Sequence, residues 1–168
     1  GSGGDVALAA HGQPILFNQA GGPRPVAQLQ GLHILAIWTG KPALTSNFLI
    51  KLEEWKTESG EIFYSKMEEL AKISLSCAHN VEEQNISNLI ENIIKFDSAL
   101  EAFSNTSQLN FYSDNHLRMK TESKKAGLAY KPSGAGGGDF GISFSDDAQR
   151  IKEFSERLSS LKIFNFIL

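Results

Sequence analysis

The sequence has a single cysteine, Cys77, in 168 residues. One thiol excludes an intrachain disulfide framework and a cysteine-based metal cluster. It fits a reducing cytoplasm, and its place at the end of an apolar helical pattern suits a buried small hydrophobe better than a nucleophile. Positive charge is also short. Sixteen Lys and Arg stand against 19 Asp and Glu, for a net charge of −3. A nucleic-acid module would show a basic face. No apolar run approaches the roughly 20 residues of a membrane span, and the first residues do not read as a signal peptide. The four histidines, His11, His33, His79 and His116, include no pair at i,i+3 or i,i+4, so no zinc spacing is present. His33 lies within an apolar strand pattern and reads as structural.

What is present suits a folded domain with a real core. Hydrophobic residues make up 41% and charged residues 21%, ordinary proportions for a globular chain. We expect one domain over residues 1–168. The first forty residues read as strands and turns, with Ile15-Leu16-Phe17 and His33–Trp38 as apolar strands and Asn18–Pro25 as a loop. Val26–Leu29 alternates apolar and polar residues. The middle reads as helices. Phe48, Leu49, Leu52 and Trp55 share one face. Thr57–Gly60 breaks the pattern. Phe63, Met67, Leu70 and Cys77 form a second stripe, and Ile86, Leu89, Ile90, Ile93, Ile94, Leu100 and Phe103 a third. The charges on these helices, Glu53, Glu54, Glu82 and Glu83 among them, read as solvated faces. A short helix is expected around Leu109–Leu117, and Lys124-Lys125 reads as a solvated helix end. Phe140, Ile142 and Phe144 fall on one strand face. Ser145-Asp146-Asp147 caps a last helix carrying Ile151, Phe154, Leu158 and Leu161, and Ile163–Leu168 closes as a strand. The order predicts an α+β fold, an antiparallel sheet with helices packed on one face.

The run Lys131-Pro132-Ser133-Gly134-Ala135-Gly136-Gly137-Gly138-Asp139-Phe140-Gly141 stands out, with five glycines in eleven residues. Consecutive glycines permit positive φ and let the backbone approach a ligand closely. Their N–H groups can converge on an anion as a phosphate-binding nest. Lys131 adds charge and Ser133 a rotatable donor. The plain alternative is a glycine-rich hairpin loop without a ligand. Asp139 is expected to brace the loop by accepting backbone N–H bonds.

This string resembles the third signature motif of the GHMP kinases, and its SGAGGGD wording is most similar to the phosphomevalonate kinase branch. Two further segments agree in the same order. Gly1-Ser2-Gly3-Gly4-Asp5-Val6 is similar to that branch's Gly-Ser-Gly-x-Asp-Val. Trp38-Thr39-Gly40-Lys41-Pro42-Ala43-Leu44-Thr45-Ser46 is similar to its Trp-Thr-Gly-x-Pro-Ala-x-Thr-Ser. Phe140 departs from the branch, which usually has Cys there. The family's Pro-x-x-x-Gly-Leu-Gly-Ser-Ser-Ala loop for nucleotide phosphates has no counterpart, and neither has its N-terminal substrate lysine segment. The resemblance therefore covers the C-terminal half of such an enzyme, and it implies a ferredoxin-like C-terminal domain.

The resemblance also implies a site. Asp5 would orient or deprotonate the attacking hydroxyl. Ser2, Lys131, Ser133, Gly134, Ala135, Gly136, Gly137 and Gly138 would bind the acceptor and its phosphate. Thr45 would donate to the acceptor or serve only as a helix cap. Gly1–Gly4 is native sequence or the scar of a tag. ATP and Mg2+ belong to the complete enzyme, with neither held tightly by this chain alone. Phosphomevalonate or a similar small molecule is the expected substrate. The expected partner is the absent N-terminal half or a second chain, a second copy of this chain included. Alternatives are a non-catalytic metabolite- or partner-binding module and a mevalonate- or homoserine-type kinase half.

Overall fold

Strand β3, His33–Trp38, is central to a four-stranded antiparallel sheet. Its run of six residues without Gly, Pro or a charged side chain suits a strand buried on both faces. In this computed structural model the sheet order is β4 (Ala129–Pro132), β5 (Phe140–Ser145), β3, β6 (Asn165–Ile167). Leu35 pairs with Ser143, and Ala36 with Ile142 and Phe166. The structure describes residues 3–18, 20–43, 45–134 and 136–168, without the side chains of Asp5, Thr45, Ser46 and Asn47. Among them no helix is long and apolar enough to cross a membrane.

Among the described residues, five further helices and a hairpin accompany the expected final helix. Helix α1 is Gly4–His11, and β1 (Ile15–Asn18) pairs antiparallel with β2 (Gly22–Pro25). Then come α2 (Thr45–Glu58), α3 (Gly60–Glu82), α4 (Ile86–Ser107), α5 (Asp114–Lys125) and α6 (Ala148–Ser160). The antiparallel α+β architecture agrees with the sequence reading.

Helices α5 and α6 lie on one face of the sheet. Ile151, Phe154 and Leu158 of α6 and Met119 of α5 bury Leu35, Ile37 and Tyr130. The 3- and 4-residue spacing puts the α6 residues on one stripe, and Asp147 caps the helix by accepting from the N–H groups of Gln149 and Arg150. Helix α4 lies along the edge strand β4, where Leu89 and Ile93 meet Ala129 and Phe144. A third cluster joins α2, α3 and α4 through Trp55, Leu70, Ala99 and Phe103.

Several local expectations are corrected. Residues 4–11 are helical rather than strand or turn, as the helix-favouring Ala7-Leu8-Ala9-Ala10 allows. Gly22–Pro25 is a strand despite its two prolines. Both Pro23 and Pro25 fall on the same alternate register, and a two-stranded sheet has an open side where a missing N–H costs nothing. Val26–Leu29 is irregular. The helix expected around Leu109–Leu117 begins at Asp114, where Ser113 caps it. Met67 and Ile94 lie on the exposed sides of their helices. As expected, Phe140, Ile142 and Phe144 share one face of β5, where they are half-buried, while the buried positions are the small residues Gly141, Ser143 and Ser145 on the other. The small face packs closely under α5, where the Ser123 and Ser143 hydroxyls bond at 2.8 Å.

Candidate functional site

The glycine loop joins β4 to β5, and its base is closed by the Ser133 N–H donating to the Phe140 carbonyl at 2.8 Å. Gly134, Gly136, Gly137 and Asp139 all have positive φ, between +55° and +77°. A left-handed run of this kind is natural for glycine and tolerable for Asp. The loop is held along one side by protein groups. The Gly137 N–H donates to the Phe111 carbonyl at 2.7 Å, and the Asp139 N–H to the Lys41 carbonyl at 2.7 Å.

The segment Thr39–Ala43 straps the loop in return. Thr39 gives its N–H (2.9 Å) and its hydroxyl (2.7 Å) to the Asp139 carbonyl. The Asp139 carboxylate accepts the Ala43 N–H at 3.2 Å, the bracing role read from the sequence. Asn115 of α5 donates its amide to the Thr39 carbonyl at 2.7 Å. Two of the motifs that carry the resemblance are thus in direct contact.

Below the loop lies His116, which is fully buried. Its Nε2 is 2.9 Å from the Gly138 carbonyl and its Nδ1 is 2.7 Å from the Tyr130 hydroxyl. A carbonyl can only accept, so Nε2 carries the proton. Burial pushes the imidazole pKa below its ordinary value, against a smaller upward pull from the Gly138 bond. The ring is therefore neutral near pH 7, and Nδ1 accepts from the tyrosine. Tyr130 in turn lies against Gly141, where any Cβ would collide with its hydroxyl.

The glycines are required by these close approaches as much as by any ligand. A Cβ at Gly136 would stand 2.5 Å from the Phe111 carbonyl oxygen. At Gly137 it would meet the Phe48 ring at 2.7 Å, and at Gly138 the Lys41 carbonyl at 2.7 Å. Gly134 is different, with nothing within 4 Å. Among the described residues, no protein group accepts from the N–H groups of Gly134, Gly136 and Gly138.

The other sequence-derived residues divide in two. Lys131 sits at the loop's base, where its ammonium donates to the Pro132 carbonyl at 2.6 Å. Burial pushes its pKa down, and the Asp97 charge partly restores it. Cys77 is half-buried, and burial raises its thiol pKa while the Lys131 charge lowers it. Ser133 is half-buried at the start of the loop. Ser2 and Ala135 lie outside the described residues, as do the side chains of Asp5 and Thr45. The Asp5 backbone is in the first turn of α1, which packs on the β1–β2 hairpin, and Thr45 opens α2 directly after the strap. The supporting groups that the sequence did not point to are His116, Asn115 and Phe111. Nothing in the local pattern around them distinguishes them.

A second buried polar cluster braces α4 against α5. Asp97 accepts the Tyr112 hydroxyl at 2.6 Å and pairs with Lys120, which also reaches Glu101 at 2.8 Å. Burial raises the Asp97 pKa, with Lys120 and Tyr112 opposing. Among the described residues no three His, Cys, Asp or Glu side chains converge as a metal site.

Solved structures share this fold. L. major mevalonate kinase, solved with R-mevalonate, superposes with a TM-score of 0.84 at 16% identity, over all of this chain and 52% of its own. Streptococcus pneumoniae phosphomevalonate kinase, solved with phosphomevalonate and AMPPNP, gives 0.78 at 22% identity, over all of this chain and 56% of its own. Another structure of the S. pneumoniae enzyme gives 0.65 at 25% identity over 82% of this chain. No protein-family model matches the sequence, and no curated protein does. The chain has the α+β fold of a GHMP kinase C-terminal domain. It spans about half the length of the mevalonate and phosphomevalonate kinases it resembles.

Proposed function

We propose that this chain is the acceptor-binding half of an ATP-dependent small-molecule kinase. Its acceptor is phosphomevalonate, and the γ-phosphate of ATP is transferred to it on the mevalonate route to isoprenoids, in the cytoplasm. The observation that carries this reading is the glycine loop. It is clamped from one side by Thr39–Ala43, Phe111 and His116, and among the described residues its Gly134, Gly136 and Gly138 N–H groups have no protein acceptor. Such a preset row of donors suits an anionic oxygen, because the cost of ordering them is met in folding. The S. pneumoniae enzyme of the same fold, solved with phosphomevalonate, supports the choice of acceptor.

In this reading Ser133 and the N–H groups from Gly134 through Ala135 to Gly138 take the acceptor's phosphate, apart from that of Gly137, which is committed to Phe111. Ser2, Thr45 and Lys131 complete the acceptor pocket. Asp5 orients the attacking hydroxyl and takes its proton. Phosphoryl transfer otherwise needs positioning and charge neutralisation more than covalent work. We assign ATP and Mg2+ to a nucleotide-binding half, on the same polypeptide or on another, as the resemblance to GHMP kinases implies, and no step is routed through residues of this chain to the metal.

Thermal melts with added phosphomevalonate test the reading. At about 100 times its dissociation constant the ligand stabilises the chain by roughly 2.7 kcal/mol. Gly134→Val, which fills the open glycine position among the described residues of the loop, removes that shift. An unshifted melt over a wide concentration range counts against binding by this chain, and an equal shift in the variant against the loop. A larger shift with mevalonate would instead favour the mevalonate-type reading, for which the higher TM-score of the L. major enzyme speaks.

A further inference from the structure

Strand β6 lies at an edge of the four-stranded sheet, and its outer side is bare. The Trp38 N–H donates to the Phe164 carbonyl at 2.9 Å and the Leu168 N–H to the Ile34 carbonyl at 3.0 Å, with Ala36 paired to Phe166 between them. Alternation therefore turns the N–H and C=O groups of Asn165 and Ile167 outward. Among the described residues these groups bond to nothing. Natural sheet edges are commonly guarded by a charge or a proline. The opposite edge strand, β4, carries Lys131 and Pro132. The run Ile163-Phe164-Asn165-Phe166-Ile167-Leu168 carries neither. Phe164, Phe166, Ile167 and Leu168 are all exposed. Phe164 and Phe166 extend the row of rings formed by Trp38 and Phe140 on the sheet face away from α6, with Phe166 centred 5.7 Å from Phe140 and 5.9 Å from Phe164.

Helix α6 lies over β3 and β6. Ile151, Phe154 and Leu158 cover Leu35 and Ile37, while the Ser155 and Ser159 hydroxyls meet the Asn165 side chain at 2.6 and 3.2 Å. One flank of the helix turns toward α5, where Arg157 pairs with Glu122. The 3- and 4-residue spacing of Lys152, Ser155, Glu156 and Ser159 puts these four on the other flank, above the bare edge. The remaining charged side chains of α6 are committed. Arg150 pairs with Asp147, Arg157 with Glu122, and Glu153 takes the Gln149 amide. Among the described residues Lys152 and Glu156 form no ion pair and no side-chain hydrogen bond. They stand one turn apart, but with the lysine first, which is the weaker order for a pair within one helix.

We propose that this edge pairs with the same edge of a second copy of the chain, β6 against β6, antiparallel about a two-fold axis at Phe166. Asn165 and Ile167 of each copy exchange backbone hydrogen bonds with Ile167 and Asn165 of the other. Phe166 meets its own counterpart in a non-hydrogen-bonded pair, where side chains come closest, and Phe164 meets Leu168. This register selects the occupant. A two-fold axis requires a patch that complements itself, and the apolar positions 164, 166 and 168 read alike in both directions about Phe166. The charges agree. Asn165 is level with Ser155 and Ser159, so the axis at Phe166 passes near the middle of the flank that carries Lys152 and Glu156. With strands about 4.8 Å apart, α6 stands roughly 5–7 Å from the axis and its mate roughly 10–14 Å away. Lys152 then faces the Glu156 of the other copy, and Glu156 its Lys152, within the reach of two long side chains. Total buried area on the order of 1,000 Å² lies at the low end of specific interfaces and suits a reversible dimer with a dissociation constant in the micromolar range. The interface is separate from the glycine loop and does not rest on the kinase reading.

Sedimentation velocity of the chain tests this. Between roughly 1 μM and 1 mM the parent is expected to pass from monomer to dimer. Ile167→Pro is the sharpest variant. The Ile167 N–H points away from β3, so proline removes no bond within one copy, whereas in the dimer it deletes a donor and puts a ring in the partner's path. Association should weaken about a hundredfold or more while the melting temperature of the dilute protein stays near that of the parent. Lys152→Glu and Glu156→Lys each break two symmetric pairs and set like charges face to face, and each should weaken association roughly tenfold. The double variant, Lys152→Glu with Glu156→Lys, restores opposite charges across the axis and should return to within about threefold of the parent. Both positions are on an exposed helix flank, so these variants still decide the matter if Ile167→Pro unfolds. The proposal is overturned by a parent that stays monomeric up to about 1 mM, or by charge variants that associate as the parent does. A folded Ile167→Pro that still forms the dimer also overturns it and would place the contact on another surface. Failure of the double variant to recover shows that Lys152 and Glu156 do not meet across the axis, and sinks this geometry.

Discussion

The imidazole Nε2 of His116 donates to the carbonyl of Gly138 at 2.9 Å, across 22 residues of sequence, while Nδ1 takes the Tyr130 hydroxyl at 2.7 Å. Both ring nitrogens are thereby used on protein groups, and the loop is tied through the ring to β4. This chain of bonds works only with a neutral ring, because a protonated Nδ1 would point a second donor at the tyrosine oxygen, which could then no longer donate to it.

His116 should therefore make stability depend on pH. Its folded pKa lies below the ordinary 6.5, so the unfolded chain binds the proton more readily. The contribution is fully present above about pH 6.5 and is lost as pH falls through the window below it. In His116→Gln the amide can still donate to Gly138 and does not titrate. Denaturant melts from pH 7.5 down to about 5 should show a steeper loss in the parent than in this variant. Parallel curves would sink the assignment. His116→Ala leaves the Gly138 carbonyl and the Tyr130 hydroxyl unpaired and should cost about 1–3 kcal/mol per group.

The glycines of the loop should not be equivalent. Gly136→Val forces a Cβ to within 2.5 Å of the Phe111 carbonyl at φ +71°, so the protein itself should be destabilised. Gly134→Ala, at φ +63° with open space around it, should cost only about 1–2 kcal/mol for the left-handed backbone. Equilibrium melts of the two variants check the order, and equal losses would contradict it.

Asp139 offers a graded test of the strap. Asp139→Asn keeps a carbonyl oxygen for the Ala43 N–H and tolerates the left-handed backbone. Asp139→Ala does neither, and should lose about 1–3 kcal/mol for the unpaired amide. Hydrogen exchange of the Ala43 amide should rise in the alanine variant and stay close to the parent in the asparagine variant. Fast exchange in the parent would show that the bond is not held in solution.

Catalysis should need a second half. The chain incubated with ATP, Mg2+ and phosphomevalonate is expected to release no ADP, since no Gly-Leu-Gly-Ser-Ser-Ala loop is present in this sequence. Turnover near the roughly 1–100 per second of kinases would refute that. With a nucleotide-binding half supplied, transfer should appear, and Asp5→Asn should lower it about 100- to 10,000-fold. A loss under about threefold would remove Asp5 as the base.

Much of the architecture was legible without coordinates. The 3.6-residue stripes of α4 and α6 and the apolar run of β3 depend on neighbours in sequence, and periodicity alone marks which side is buried. The glycine run and the bracing role of Asp139 were also visible, since a left-handed loop needs such residues whatever surrounds it. The hairpin strand β2 was hidden by its prolines, because only the pairing partner decides on which side a missing N–H falls. Helix α1 was hidden by the expectation of strands throughout the first forty residues. Only the tertiary structure decided why Gly136 must be glycine, since the Phe111 carbonyl that excludes a Cβ comes from a segment 25 residues earlier. It alone singled out His116 from four scattered histidines. Such contacts are set by the path of the chain between distant elements, which neither composition nor local periodicity encodes.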